Sequence, residues 1–270
     1  MAFHGDTIDI RTASNFEFHS RNLISGPYEI SRAFEVVSER GSDLNKNLMV
    51  QAAEMLAPHS GHGAQPISIR IDKRIPPGTG VGAGSANAAQ ILLFAVKQDW
   101  ITIDQARDMA PALGSDVSFF LDQKPALVEG TGERIHHVES GPLYGVLCFP
   151  GLFVSTAEAY SRLKRPLQQS EDAKLGSLLS DSDWQAVAAG AWGRLAHWTN
   201  DFEEPVLSMH PLLGEIKESM VRVGADYCSL SGSGSALYGL YSSGQRAQAA
   251  LDSLKSQYPE LPFETFALWD

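Results

Sequence analysis

Apolar and polar residues alternate over residues 6–12, and again over 67–75, where Ile67, Ile69, Ile71 and Ile75 fall on one face. Period-two spacing of this kind predicts strands with one buried face. Between them, Leu48, Met49, Ala52, Ala53 and Leu56 recur at helical spacing behind Asn47, a residue suited to cap a helix. Residues 14–44 carry polar clusters and a Gly26-Pro27 turn, with no dominant period. Downstream the pattern predicts helices over 85–97, with Ser85 as N-cap, and over 103–110, ended by Pro111 and Gly114. A hairpin follows, 126–129 and 133–138 about Gly130-Thr131-Gly132, then a buried strand over 143–149 that stops at Pro150-Gly151. Helices are expected over 155–163, 184–192, 209–223 and 245–257. Strands are expected over 227–230, 235–241 and 263–268. The order reads as an α+β protein of two lobes, residues 1–150 and 151–270, divided near Pro150.

Composition narrows the partners. A chain of 270 residues with 43% hydrophobic and 20% charged residues has ample material for a large core. Its net charge of −11 and pI near 5.1, with no basic stripe, exclude a nucleic-acid partner. A small anion remains allowed, because backbone dipoles bind anions without net positive charge. Cys148 and Cys228 lie in apolar runs, as reduced core thiols of a cytoplasmic protein do. No apolar run reaches membrane-spanning length and no basic-then-apolar leader is present, so no membrane partner is expected. Oligomeric state leaves no mark on the sequence.

The strongest chemical signal is Pro76-Pro77-Gly78-Thr79-Gly80-Val81-Gly82-Ala83-Gly84-Ser85-Ala86, between a strand and a helix. Glycines at every second position let a backbone curl around a ligand and aim its N–H groups inward. Just before a helix N-terminus such groups make a phosphate site. A P-loop would end in Gly-Lys-Ser/Thr, and no lysine is there. A dinucleotide fingerprint would need different glycine spacing and an acid ending a second strand, whereas Asp99 and Asp104 lie past the first helix. A plain surface loop is disfavoured by the strand and helix that flank it tightly.

The run Gly-x-Gly-x-Gly-Ser85-x-Asn87-Ala88-Ala89 resembles the phosphate loop of the galactokinase, homoserine kinase, mevalonate kinase and phosphomevalonate kinase (GHMP) superfamily. Its Gly-Ser-x-Asn-Ala-Ala ending is similar to the branch that phosphorylates a cytidyl diphosphate sugar alcohol on the non-mevalonate route to isoprenoid precursors. Three other stretches resemble that branch in order: Gly114-Ser115-Asp116-Val117-Ser118-Phe119-Phe120, Asn200-Asp201-Phe202-Glu203, and Leu230-Ser231-Gly232-Ser233-Gly234-Ser235. Ser118 stands where the branch has proline. The resemblance implies a two-lobed GHMP kinase fold: an N-terminal lobe with a left-handed-type βαβ unit like ribosomal protein S5 domain 2, and a ferredoxin-like C-terminal lobe. It implies ATP and Mg²⁺ as cofactors, small-molecule phosphorylation as the activity, and another small alcohol or bare nucleotide binding as the alternatives.

The resemblance makes Asp116 the catalytic residue. Read alone it is an ordinary turn aspartate, although Val117 and Phe119-Phe120 would desolvate its carboxyl and raise its pKa. Residues 76–86 would hold the nucleotide phosphates, supported by Gly232, Ser233 and Gly234. Lys73 is either a nucleotide contact or a solvated strand-end lysine, and Asn47 either approaches the base or caps a helix. The family's Pro-Ala-Lys-Leu/Ile-Asn strand and Asp-Gly-Tyr/Phe-His segment have no counterpart in this sequence. On the resemblance, about thirty residues would fall before Met1.

Overall fold

The computed structural model describes residues 5–22, 47–62, 65–163 and 180–268. The expected Gly26-Pro27 turn lies outside them. In the first lobe, β1 (Thr7–Thr12), β2 (Glu17–Asn22) and β3 (Ile67–Lys73) form a sheet in the order β1-β3-β2. Strand β3 runs antiparallel to β1, with Ile10 opposite Ile69, and parallel to β2, with Phe18 opposite Ile69. The isoleucine alternation does what it predicts: Ile67, Ile69 and Ile71 are buried. Strand β2 is absent from the sequence expectation because it is a polar edge strand in which Phe18 alone carries an apolar signal.

Helices α1 (Leu48–Met55), α2 (Ala83–Lys97), α3 (Ile103–Leu113) and α4 (Val117–Asp122) cover this sheet. Ala88, Ala89 and Ala95 are fully buried, and their small side chains let α2 sit close to α1 and α4. Ile91 and Leu92 are buried completely, each worth about 2 kcal/mol of apolar transfer. Helix α3 continues through Pro111 to Leu113, past the expected stop. Its Thr102–Gln105 capping box fixes the start, and Gly114 ends it.

A separate hairpin, β4 (Ala126–Glu129) with β5 (Arg134–His137), leads into the second lobe. There β6 (Leu143–Cys148), β7 (Tyr227–Leu230), β8 (Leu237–Tyr241) and β9 (Phe263–Leu268) form an antiparallel sheet in the order β7-β8-β6-β9. That order is the ferredoxin-like one. Strand β6, on the N-terminal side of the division expected at Pro150, lies inside this sheet.

Helices α5 (Thr156–Arg162), α6 (Asp181–Ala188), α7 (Glu203–Met209), α8 (Pro211–Arg222) and α9 (Gly244–Gln257) complete the lobe. The expected single helix over 209–223 is broken at His210, and Pro211 takes the first position of α8, where its missing N–H costs nothing. The sheet face bearing Val146, Leu237 and Phe263 packs on α8 and α9. The opposite face packs on α6 and a 3₁₀ turn at Trp192–Leu195. Cys148 and Cys228 are free thiols, and burial pushes Cys228 up to about 12. Among the described residues no helix is long and apolar enough to cross a membrane.

Candidate active site

The glycine run becomes a loop that its glycines alone permit. Gly78, Gly80 and Gly82 have φ of 69°, 75° and 69°, in the left-handed region. Pro76 and Pro77 lead in, and Thr79, buried, donates from Oγ1 to the Pro76 carbonyl at 2.9 Å. Helix α2 then starts at Ala83, two residues earlier than expected, with Gly82 as N-cap. Ser85 is therefore inside the first turn rather than capping it. Among the described residues no side chain caps this end, and no acidic residue occupies the first turn. The N–H groups of Ala83, Gly84 and Ser85 precede the first intrahelical bond, from Ala86 N to Gly82 O. Val81 and Ala83 rest on Ile75 and Phe149, which anchors the loop to the second lobe.

The second-lobe turn meets this loop. Ser231 Oγ donates to the Gly80 carbonyl at 3.1 Å, and Ala236 N donates to the Thr79 carbonyl at 3.0 Å. The approach is so close that a Cβ at Gly80 would overlap the Ser231 carbonyl oxygen, and one at Gly232 would lie 2.9 Å from the Gly80 oxygen. Ser233 shares a 3.0 Å hydrogen bond with Thr156, at the start of α5, and Gly234 donates to the Ser231 carbonyl to close the turn. The Asn200–Glu203 stretch holds the turn from behind. Asn200 Nδ2 donates to the Leu230 and Gly232 carbonyls, and Glu203 accepts from Ser229 Oγ and Leu230 N while paired with Lys217. The sequence offered these residues only as a resemblance; their work is to shape the turn.

Asp116 lies against the same loop. A Cβ at Gly82 would sit 3.8 Å from its Oδ2 and 2.8 Å from the Phe120 ring. Asp116 is the N-cap residue of α4 yet spends no side-chain hydrogen bond on that helix. Its surroundings differ from the expectation in one respect. The carboxylate is exposed, because Val117 turns into the core and does not cover it. From the far side, the Gly130-Thr131-Gly132 turn supports Asp116, since a Cβ at Gly132 would overlap the Ser115 carbonyl. The structure thus joins Asp116, the loop 76–86 and the turn 231–234.

Lys73 is held in an ion pair. Its Nζ lies 2.8 Å from Asp6 Oδ2, and the Asp6 side chain is 2% exposed. Asp6 also accepts from Arg74 N, Ile75 N and Asn87 Nδ2. Burial by itself pushes the Asp6 carboxyl up, but Lys73 and these hydrogen bonds outweigh it and hold the carboxyl below its ordinary range. Asp6 was missed in the sequence because its partners lie 67 to 81 residues away. Asn47 caps α1, its Oδ1 accepting from Met49 N at 2.9 Å. Phe153 was missed too: its exposed ring lies where a Cβ at Gly78 would stand.

The loop geometry yields a paired test. Gly80→Ala forces a Cβ into the Ser231 backbone at an unfavourable φ, and nucleotide affinity should fall at least about tenfold. Gly84 is helical, and a Cβ there meets nothing within 4 Å. A helical Cβ tilts toward the N-terminus, the side to which the free N–H groups point. Gly84→Ala should therefore stabilise the unliganded protein by about 0.5–1 kcal/mol yet weaken nucleotide binding. Thermal melts with and without ATP read both effects; a Gly84→Ala protein that binds ATP normally would move the phosphates away from α2.

The comparisons agree with this geometry. Residues 47–124 match the GHMP kinases N terminal domain and residues 185–260 match GHMP kinases C terminal. A 4-diphosphocytidyl-2-C-methyl-D-erythritol kinase of Leptospira interrogans is 36% identical, over 97% of this chain and 88% of that protein. One from Leptospira biflexa is 33% identical, over 94% of this chain and 82% of its own. A crystal structure of 4-(cytidine 5'-diphospho)-2C-methyl-D-erythritol kinase superposes with a TM-score of 0.71 at 28% identity, covering 97% of this chain and 85% of that one. A homoserine kinase from Cytophaga hutchinsonii shares the fold, with a TM-score of 0.68 at 18% identity. With both family regions matched and relatives above 30% identity along nearly the whole chain, the chain belongs to the GHMP kinases.

Proposed function

We propose that this ATP-dependent kinase phosphorylates the 2-hydroxyl of 4-diphosphocytidyl-2-C-methyl-D-erythritol, a step toward isoprenoid precursors. The observation that carries the reading is the convergence of three groups on one spot: the uncapped start of α2, the turn 231–234 and the Asp116 carboxylate. The first supplies N–H dipoles for a polyphosphate. The second fixes the loop's shape. The third is a proton acceptor beside it, and the agreement of the Leptospira relatives names the acceptor.

Phosphoryl transfer asks a protein mainly to position groups and neutralise charge. Residues 76–86 would hold the phosphates of ATP by their backbone, and Asp116 would orient the acceptor hydroxyl. As the new oxygen–phosphorus bond forms, Asp116 takes the hydroxyl proton. The bond from the γ-phosphorus to the bridging oxygen breaks, and ADP leaves with that electron pair. Mg²⁺ would arrive on the ATP phosphate oxygens with its remaining positions filled by water, and would screen the phosphate charge while the Asp116 carboxylate stays free for the proton. The buried, free thiols suit a reducing cytoplasm, where we place the enzyme.

The test is ADP release by the 270-residue chain with ATP, Mg²⁺ and, in turn, the cytidyl substrate, homoserine and mevalonate. ADP should be released with the first alone. Faster release with either of the others would reassign the acceptor. ATP binding without release for any of them would make the chain a nucleotide-binding protein.

A further inference from the structure

The three left-handed glycines of the phosphate loop are bare toward the protein rather than toward a ligand. A Cβ at Gly78 would overlap the Phe153 ring, and one at Gly80 would overlap the Ser231 carbonyl oxygen. One at Gly82 would lie 2.8 Å from the Phe120 ring. Each missing side chain is thus replaced by a group from another part of the chain: the segment after β6, the turn 231–234 and α4. The residues between these glycines are held by their own side chains, since Thr79 is buried and Val81 packs on Ile75 and Phe149. Gly84 differs. Among the described residues nothing lies within 4 Å of its Cβ position, which leaves its face open in the first turn of α2.

The contact at Gly80 is backbone against backbone, whereas those at Gly78 and Gly82 depend on two phenyl rings. Phe153 stands between Leu152 and Val154, which both pack in the second-lobe core. Ser155 then caps α5 and Thr156 bonds Ser233, so the backbone that carries the ring is fixed on both sides. The side chain itself is 70% exposed. So exposed a ring contributes little burial to the fold, which separates what it does for the loop from what it does for stability. Phe120 packs on the first-lobe core and edge-on to Phe119 at 5.2 Å, which sets its ring against Gly82. Glycine gives up more conformational freedom on ordering than any other residue. A loop with three of them would lose that freedom on binding, and so bind weakly, unless the protein has already ordered it.

We propose that Phe153 and Phe120 are positioning residues that clamp Gly78 and Gly82 in their left-handed conformation before the nucleotide arrives, so that the phosphates meet a preformed loop and approach it over Gly84. This rests on the reading of residues 76–86 as the phosphate site and is independent of which alcohol the kinase phosphorylates.

Calorimetric titration of the full chain with ATP and, separately, with inorganic triphosphate, each with Mg²⁺, reads the clamp. Phe153→Ala should weaken both about fivefold, because a clamp on the loop acts on the phosphates and not on the base. Phe153→Tyr, which keeps the ring, should bind as the wild type does. Phe120→Leu, which keeps an apolar core contact but withdraws the ring edge from Gly82, should weaken both ligands by a similar factor. Circular dichroism confirms the fold of each variant. In unliganded Phe153→Ala, hydrogen exchange should quicken at the amides of residues 78–82 while the strands of both sheets keep their protection. Gly84→Ala is the control for the site: normal triphosphate binding there would sink the phosphate site and the clamp with it. Weakened binding by Gly84→Ala beside undiminished binding by folded Phe153→Ala or Phe120→Leu would overturn the clamp alone. So would unchanged exchange over 78–82, or a loss confined to ATP, which would make the ring a contact of the base.

Discussion

Asp116→Asn should lower kcat by about three orders of magnitude while leaving ATP affinity close to that of the wild type. Asparagine preserves the shape beside Gly82 but cannot take a proton from the acceptor hydroxyl. Among the described residues no hydrogen bond or ion pair of the Asp116 side chain holds the fold together, so the substitution removes chemistry without removing structure. Losing a negative charge beside the phosphate loop relieves repulsion of the nucleotide, so ATP binding, if it moves, should tighten. Calorimetric titration with ATP and single-turnover ADP release separate the two quantities. Unchanged turnover would remove Asp116 from the proton transfer. A collapse of ATP affinity with turnover per bound nucleotide intact would make it a support of the loop.

What the sequence makes legible follows how far apart the cooperating residues stand. The phosphate loop is readable because its meaning is local. Glycines at positions 78, 80 and 82 make sense only if the backbone goes left-handed there, and all three do. The strand of alternating isoleucines and the Gly130-Thr131-Gly132 hairpin are local in the same way. The start of α2 was misread by two residues because Ser85 looks like a cap, whereas the left-handed Gly82 already ends the loop. What could not be read from spacing is long-range. Glu203 gripping Leu230, Ser231 reaching Gly80 and strand β6 joining β8 and β9 all depend on tertiary pairing. The same holds for Lys73. A lysine at a strand end reads equally as a ligand contact or as solvated, and its ion pair with Asp6 is visible only in the fold.

Asp6→Ala should destabilise the protein by about 4 kcal/mol. Four donors converge on one nearly buried carboxylate, and removing it leaves the Arg74 and Ile75 N–H groups, the Asn87 amide and the Lys73 ammonium without their acceptor. Asp6→Asn should cost less, about 2 kcal/mol, since an amide oxygen still serves the two backbone donors while its NH₂ faces Lys73 and Asn87. The pH dependence identifies the cause. The folded-state pKa of Asp6 is lowered, so its charge contributes stability above the ordinary carboxylate value of 3.8, and that contribution is lost as pH falls through the lower folded value. Asparagine resembles protonated aspartic acid. The stability gap between wild type and Asp6→Asn in urea melts should thus be full at neutral pH and close as pH drops below 3.8. A gap independent of pH would show that packing, not the charge, is what Asp6 supplies. The effect also reaches the site: Arg74 and Ile75 immediately precede Pro76, and Asn87 lies one turn into α2, so Asp6 ties both ends of the phosphate loop together. At temperatures where Asp6→Asn remains folded, its KM for ATP should therefore rise while Asp116 chemistry, measured at saturating ATP, stays near wild type. That pattern is the reverse of the one expected for Asp116→Asn, and it separates the residue that holds the loop from the residue that moves the proton.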